Sequence, residues 1–181
     1  MTKTFVLFAA SVMMLVSCGQ RGNKAAAAEA VATPAPAEEV SIPAEGAKFI
    51  DFTILDSNGQ EVKFSDYIGQ GKYVLVDFWA SWCGPCRREI PNIKEVYEKY
   101  KGDKFSVLGV AVWDDPKDSK EAIVALGITW DVILNAQRIP TDLYGIEGIP
   151  QIMLFGPDGT LLKKDLRGPA VEAAVKEALG L

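Results

Sequence analysis

The sequence predicts an α/β domain, a mixed β-sheet flanked by helices on both faces. Three features carry that expectation. The segments "KYVLVDFWA" (72–80) and "KFSVLGVAVW" (104–113) are near-continuous apolar runs, as strands buried on both sheet faces require. Stretches of helical periodicity alternate with them, the layout of strand–helix–strand units. A hairpin and an amphipathic helix then close the chain. Of the 181 residues, 49% are hydrophobic, enough for one sizeable core, and the net charge of −5 argues against a nucleic-acid partner.

Residues 1–17 with Cys18, "MTKTFVLFAASVMMLVSC", have the form of an export signal. Lys3 and the amino terminus supply positive charge, and Phe5 to Val16 is apolar. That run is too short to span a bilayer, which takes about 20 residues. Its end, "LVSC", resembles a bacterial lipobox, with Leu15 and Ser17 at the expected places and Cys18 as the first mature residue. In such signals this cysteine is lipidated and anchors the protein to the membrane. An ordinary signal peptide with a chance cysteine is the alternative. Residues 18–45 follow as a linker of Ala, Pro and Glu that lacks the bulky side chains a core needs. The folded domain is expected over 46–181.

Within it, "FIDFTILDSNGQEVKF" shows two alternating segments around Asn58-Gly59, a hairpin signal. The run 72–80 gives the first buried strand. In "CRREIPNIKEVYEKY", Cys86, Ile90, Ile93, Val96, Tyr97 and Tyr100 fall on one helical stripe. The second buried strand is 104–113. "PKDSKEAIVALG" reads as a helix closed by Gly127, and "WDVILN" as a short strand. "RIPTDLYGIEGIP" reads as a loop in which Tyr144 packs. "PQIMLFGPDGTLLKKDL" is a hairpin turning at Gly156-Pro157-Asp158-Gly159. "PAVEAAVKEALG" is an amphipathic helix that starts near Pro169.

The chain has no histidine and three cysteines. Without histidine, Ser-His-Asp and Cys-His catalysis and His-containing metal sites are excluded. Cys83 and Cys86 have the Cys-x-x-Cys spacing. A zinc site needs four ligands, and the other two are missing. A purely structural disulfide closing so small a loop would stabilise weakly. Reversible thiol–disulfide exchange remains, and the surroundings favour it. No metal and no cofactor beyond the cysteine pair are expected.

The pair lies where a buried strand meets a helix, and there the unpaired amides favour a thiolate at Cys83. Arg87 and Arg88 add positive charge in the first turn, or are simply solvated. Cys83, expected to be the more exposed, would attack a substrate disulfide; Cys86, on the core stripe, would resolve the mixed disulfide. Asp77 sits in a strand with little access to water, and Glu89 follows Cys86 by one helical turn. A carboxylate in a dry pocket has a raised pKa and can accept the Cys86 proton. The bland alternatives are a strand-end carboxylate for Asp77 and a solvated partner of Arg87 and Arg88 for Glu89. Trp79 is expected in the core, Trp82 at a substrate surface, and Trp113 and Trp130 in the core or at its rim.

"VDFWASWCGPC" and "GIPQIMLF" resemble the thioredoxin superfamily, over essentially all of 46–181. The resemblance implies a thioredoxin-like mixed β-sheet in which Asp77 is the buried aspartate, Pro91 kinks the active-site helix, and Ile149–Pro150 is a cis peptide facing the thiols. It places Trp82, Gly84, Pro85, Ile149 and Pro150 at the substrate-binding surface. The N-terminal β-hairpin extension, the inserted helix in "VWDDPKDSKEAIVALGI" and the Cys-x-x-Cys-x-x-Glu pattern are similar to the exported, membrane-anchored TlpA/ResA-like branch. That branch implies reduction of protein disulfides outside the cytoplasm, in some members during cytochrome c maturation, with electrons from a membrane thiol transporter. Asp77 and Glu89 together combine acids of both groups, so either one, or a shared proton, could serve Cys86. An oxidase or isomerase of the same fold is the nearest alternative, since the motif alone does not set direction. A peroxiredoxin-type peroxidase would need a threonine where Ala80 stands. A copper-handling module would need a longer cysteine spacing and a histidine.

Overall fold

The computed structural model describes residues 42–56 and 58–181. The export signal, Cys18 and the linker up to residue 41 lie outside the described residues.

The amino-terminal hairpin is present but short. Strands β1 (Thr53–Leu55) and β2 (Glu61–Lys63) pair antiparallel with Ile54 opposite Val62. The Asp56 side chain organises their turn by accepting from the backbone N–H groups of Asn58 and Gln60 at 2.8 Å each. A 3₁₀ turn, Phe64–Asp66, then buries Phe64 completely. Phe64 stacks on Phe52 with ring centroids 4.7 Å apart.

The apolar runs become strands as expected. They are β3 (Tyr73–Trp79) and β4 (Phe105–Val112), separated by helix α1 (Gly84–Tyr100). Helix α2 (Pro116–Leu126) and strand β5 (Asp131–Gln137) follow. Asp115 caps α2 by accepting from the Lys117 N–H, and Gly127 ends it in the left-handed conformation. A short helix, α3 (Ile139–Tyr144), occupies part of the segment read as a loop. Its Pro140 falls in the first turn, where a missing N–H is harmless. Strands β6 (Gln151–Phe155) and β7 (Leu161–Lys163) form the closing hairpin, and helix α4 (Pro169–Leu179) completes the domain.

The sheet order is β5-β4-β3-β6-β7. The β3–β4 and β4–β5 pairs are parallel, while β6 and β7 run antiparallel to their neighbours. This mixed sheet separates two apolar layers. One joins Leu75, Trp79, Ile152 and Leu154 of the sheet to residues of α1, α2 and α4. The other joins Val74, Val76, Phe78 and Met153 to the hairpin side and to Tyr144 of α3. The helical cover is therefore unequal, with three helices on the first face against α3 and the hairpin on the second. Helix α1 keeps its predicted stripe, with Cys86, Ile90, Ile93 and Val96 buried. Each full burial of such an aliphatic side chain contributes about 1.5–3 kcal/mol.

A strap at the sheet edge had no signature in the sequence. Gly46 N–H donates to Leu161 O, Leu161 N–H to Ala47 O and Phe49 N–H to Gly159 O, at 2.8–2.9 Å. The strap thus pairs with the edge strand β7 and hides its open hydrogen-bonding groups. Gly159 is required here, because a Cβ would meet the Phe49 ring at 2.5 Å and φ is +80°. Tyr144 secures the next residue, its hydroxyl donating to Ile50 O and accepting from Ile50 N–H at 2.9 Å each.

Candidate active site

Strand β3 ends at Trp79, and after three intervening residues Cys83 stands as the N-cap of α1. Cys83 and Cys86 form a disulfide with S–S 2.00 Å and Cα atoms 5.3 Å apart. The Cys86 N–H donates to Cys83 Sγ at 3.1 Å, so an amide of the first helical turn points at the sulfur. On reduction the same amide and the helix dipole favour negative charge there. The difference in exposure expected between the two sulfurs is small in this disulfide form. Cys83 is 3% exposed and Cys86 is fully buried. Access to Cys83 is narrowed by the Ile149 carbonyl oxygen, 3.7 Å from its sulfur. Ile149–Pro150 is a cis peptide bond. Gly84 and Pro85, between the cysteines, are exposed.

Asp77 is buried in the middle of β3. Strand alternation puts it on the same face as Leu75 and Trp79, which pack with Cys86 in the helical layer. Among the described residues neither carboxylate oxygen finds a hydrogen-bond partner. Burial pushes this carboxyl up to about 7, with Arg167 pulling it down and Glu89 adding to the rise. A group balanced near neutrality can take or release a proton at little cost.

Glu89 is half-buried rather than enclosed in a dry pocket. Its two oxygens accept from the Gly168 N–H at 3.1 and 3.3 Å, and Asn92 Nδ2 donates to Oε2 at 3.3 Å. Asn92 also donates to Gly168 O at 2.9 Å. Gly168 is the N-cap of α4 and brings no side chain of its own, so Glu89 supplies the acceptor the helix start lacks. The preceding residue, Arg167, donates from Nη2 to the Pro150 carbonyl and from Nη1 to the Leu166 carbonyl. Sequence reasoning missed Arg167, Gly168 and Asn92, since "LRGP" announces only a helix start.

A further carboxylate braces the approach to Cys83. Asp114, buried just beyond β4, accepts from Ser81 N–H at 2.7 Å, Ser81 Oγ–H at 2.8 Å and Ser119 Oγ–H at 2.6 Å. Arg87 Nη1 donates to Ser81 O at 3.1 Å, a local contact in place of one with the sulfur. Arg88 is exposed. Trp79 is buried as expected, and so is Trp130, which packs edge-on against Tyr97. Trp82 is 61% exposed, yet its indole N–H donates to the Trp113 carbonyl at 3.0 Å. It borders a groove of about 300 Å³ that Asp118 and Glu121 of α2 also line. Trp113 is half-buried and donates to Thr141 Oγ1 at 3.0 Å.

Residues 46–164 match the AhpC/TSA family. The chain is 32% identical over 137 residues to a protein of Geobacillus kaustophilus named thiol-disulfide oxidoreductase ResA, covering 71% of this chain and 77% of that one. Among solved structures, a thiol:disulfide interchange protein from a Bacteroides species superposes with a TM-score of 0.67 at 32% identity, over 76% of this chain and 91% of the other. The thioredoxin domain of a thiol-disulfide oxidoreductase from Bacteroides vulgatus gives a TM-score of 0.66 at 31% identity, over 75% and 97% respectively.

Proposed function

The chain belongs to the AhpC/TSA family, and from that premise we propose that it is a thiol-disulfide oxidoreductase that reduces protein disulfides through Cys83 and Cys86. One observation carries the reading: the Cys83–Cys86 disulfide at the start of α1, with Cys83 facing the Ile149 carbonyl. The names of the relatives agree with it.

The reaction starts from the dithiol. The Cys83 thiolate attacks one sulfur of a substrate disulfide; that S–S bond breaks and the other substrate sulfur leaves as a thiolate. Cys86 then loses its proton and attacks Cys83 Sγ. The mixed disulfide breaks, the second substrate sulfur leaves, and Cys83–Cys86 closes. Two electrons pass to the substrate, whose two thiolates take up protons. Asp77 is the acceptor we assign to the Cys86 proton, because it shares the helical layer with Cys86 and is balanced near neutrality. Glu89 acts on that proton through its charge, being itself engaged by Gly168 and Asn92. Trp82, Gly84, Pro85 and the Ile149–Pro150 turn form the surface met by the substrate.

The same proposal includes export and lipidation at Cys18, supported by the "LVSC" motif at 15–18. An anchored domain would face outward from the membrane and regain electrons from a membrane thiol transporter. Among the described residues no helix is long and apolar enough to cross a membrane. Cytochrome c maturation is one setting in which such a reductant would act.

Equilibrating the purified protein with glutathione buffers tests the direction. A reductant settles near the thioredoxin value of about −270 mV, and a value near about −120 mV, that of strong oxidants, would reverse the assignment. Radiolabelled palmitate incorporation that disappears in Cys18→Ala tests the anchor; label retained in that variant would remove it.

A further inference from the structure

Among the described residues, the two oxygens of Asp77 are the buried side-chain polar atoms that lack a hydrogen-bond partner. An unpaired carboxylate inside a protein is costly to ionise, and a charge that reaches it adjusts the balance that burial sets. The surrounding elements can be taken in turn. On β3 its same-face neighbours are Leu75 and Trp79, and across the β4 pairing stands Gly109, none of them charged. Helix α1 brings the sulfurs of Cys83 and Cys86, and Glu89. Across the β6 pairing stands Ile152, whose carbonyl accepts from the Leu166 N–H at 3.1 Å. Leu166 belongs to the same layer as Cys86, and Arg167 follows it. The connector between β7 and α4 therefore crosses beside Asp77 and brings the cation, Arg167, whose charge acts on that carboxylate.

The Arg167 guanidinium is fixed at both ends of its fork, on the Pro150 and Leu166 carbonyls. Neither partner is acidic, so neither hydrogen bond neutralises its charge, which acts on the buried carboxylate at a distance. Arginine keeps that charge at every pH where a thiol reacts, which makes it a constant bias rather than a second switch. Gly168, the next residue, holds Glu89. Consecutive residues of one connector thus position the attracting charge and the repelling one.

We propose that Arg167 is a positioning residue: its guanidinium, docked on the Pro150 carbonyl, sets the charge state of Asp77 and thereby the pH range over which Cys86 resolves the mixed disulfide. The part concerning Cys86 rests on the oxidoreductase reading, whereas the part concerning Asp77 does not.

The test follows the carboxyl carbon of Asp77 by NMR in the oxidised full chain, carrying ¹³C-labelled aspartate, as pH is varied. Arg167→Gln moves the midpoint upward by about half a pH unit or more, roughly a threefold gain in proton affinity. Arg167→Lys keeps the midpoint within about half that distance of the parent, because the charge is retained. Arg167→Leu is a second neutral variant should the glutamine form fold poorly. An unchanged midpoint in the neutral variants, or an equal shift in the lysine variant, overturns the electrostatic role. Release of glutathione from its mixed disulfide at Cys83, timed across pH, tests the second part. Its midpoint moves upward with that of Asp77; a midpoint that stays put while Asp77 shifts would overturn the link to Cys86 alone.

Discussion

The Gly168 N–H donates to both carboxylate oxygens of Glu89, at 3.1 and 3.3 Å, and so ties the first turns of α1 to the start of α4. Removing that acceptor has two separable consequences. Glu89→Ala leaves the α4 N-terminus without a cap and lowers stability by about 1–2 kcal/mol in urea unfolding. Glu89→Gln removes the negative charge that raises Asp77, so the Asp77 titration moves downward, opposite to the effect of neutralising Arg167. Movement in the same direction for both variants would contradict the arrangement described here.

Asp77 gives stability a definite pH dependence. Below about pH 4 its carboxyl is protonated in both folded and unfolded chains, and burial carries no electrostatic penalty. As pH rises from 3.8 to about 7, the unfolded chain releases this proton while the folded one keeps it. Stability from this group is therefore lost through that window, by at most about 4 kcal/mol, and levels off above it. Asp77→Asn removes the dependence: the variant unfolds at higher denaturant than the parent at pH 8 and at about the same concentration at pH 4. Parallel curves for the two proteins would show that Asp77 is not a raised, buried acid.

Cys86→Ala retains the attacking sulfur and deletes the resolving one. Mixed disulfides with client proteins accumulate at Cys83 and are released by dithiothreitol, as mass spectrometry of non-reduced complexes would record. Replacing Cys83 by serine abolishes capture. Equal capture in both variants would mean that the roles assigned to the two sulfurs are wrong.

Trp82 is exposed while its indole N–H is fixed to the Trp113 carbonyl, so its orientation costs nothing further on binding. Trp82→Ala slows reduction of a protein disulfide such as that of insulin by about tenfold, equivalent to about 1.4 kcal/mol. Reduction of a small aromatic disulfide changes by less than about twofold, within the thermal energy RT. Equal losses on both substrates would place the effect at the sulfurs rather than at docking.

Asp114 accepts from Ser81 twice and from Ser119 once. Asp114→Ala orphans these donors and costs about 1–3 kcal/mol for each one left buried without water. Hydrogen exchange of the Ser81 amide accelerates in this variant. Unaltered protection at Ser81 would mean that another group holds the loop.

Much of this architecture could be read from local pattern. The runs around Leu75 and Leu108 announce β3 and β4 because a doubly buried strand leaves little room for polar residues. The stripe from Cys86 to Val96 announces α1 because one helical face must be apolar. Asp77 and Glu89 were conspicuous as acids beside cysteines, yet their different fates were not legible. Strand alternation turns Asp77 into the helical layer, where no described residue bonds it, whereas Glu89 meets an amide that lies 79 residues further along the chain. Arg167 and Asp114 were invisible for the same reason, since their partners, Pro150 and Ser81, are distant in sequence and carry no periodic mark. The pairing of residues 46–49 with β7 escaped notice because "GAKF" has neither alternation nor a turn signal.

That pairing has a mechanical corollary. A pull exerted on the polypeptide at its described amino-terminal end meets the packing of Ile42 and the Lys164 N–H bond to Glu45, then the hydrogen bonds to Leu161 and Gly159, and then the Tyr144 hydroxyl on Ile50. These attachments lie on the β7 edge and on the face opposite α1, away from the layer that holds the sulfurs. The domain can be leashed at its amino-terminal end and still present an undistorted reactive centre to whatever comes within range.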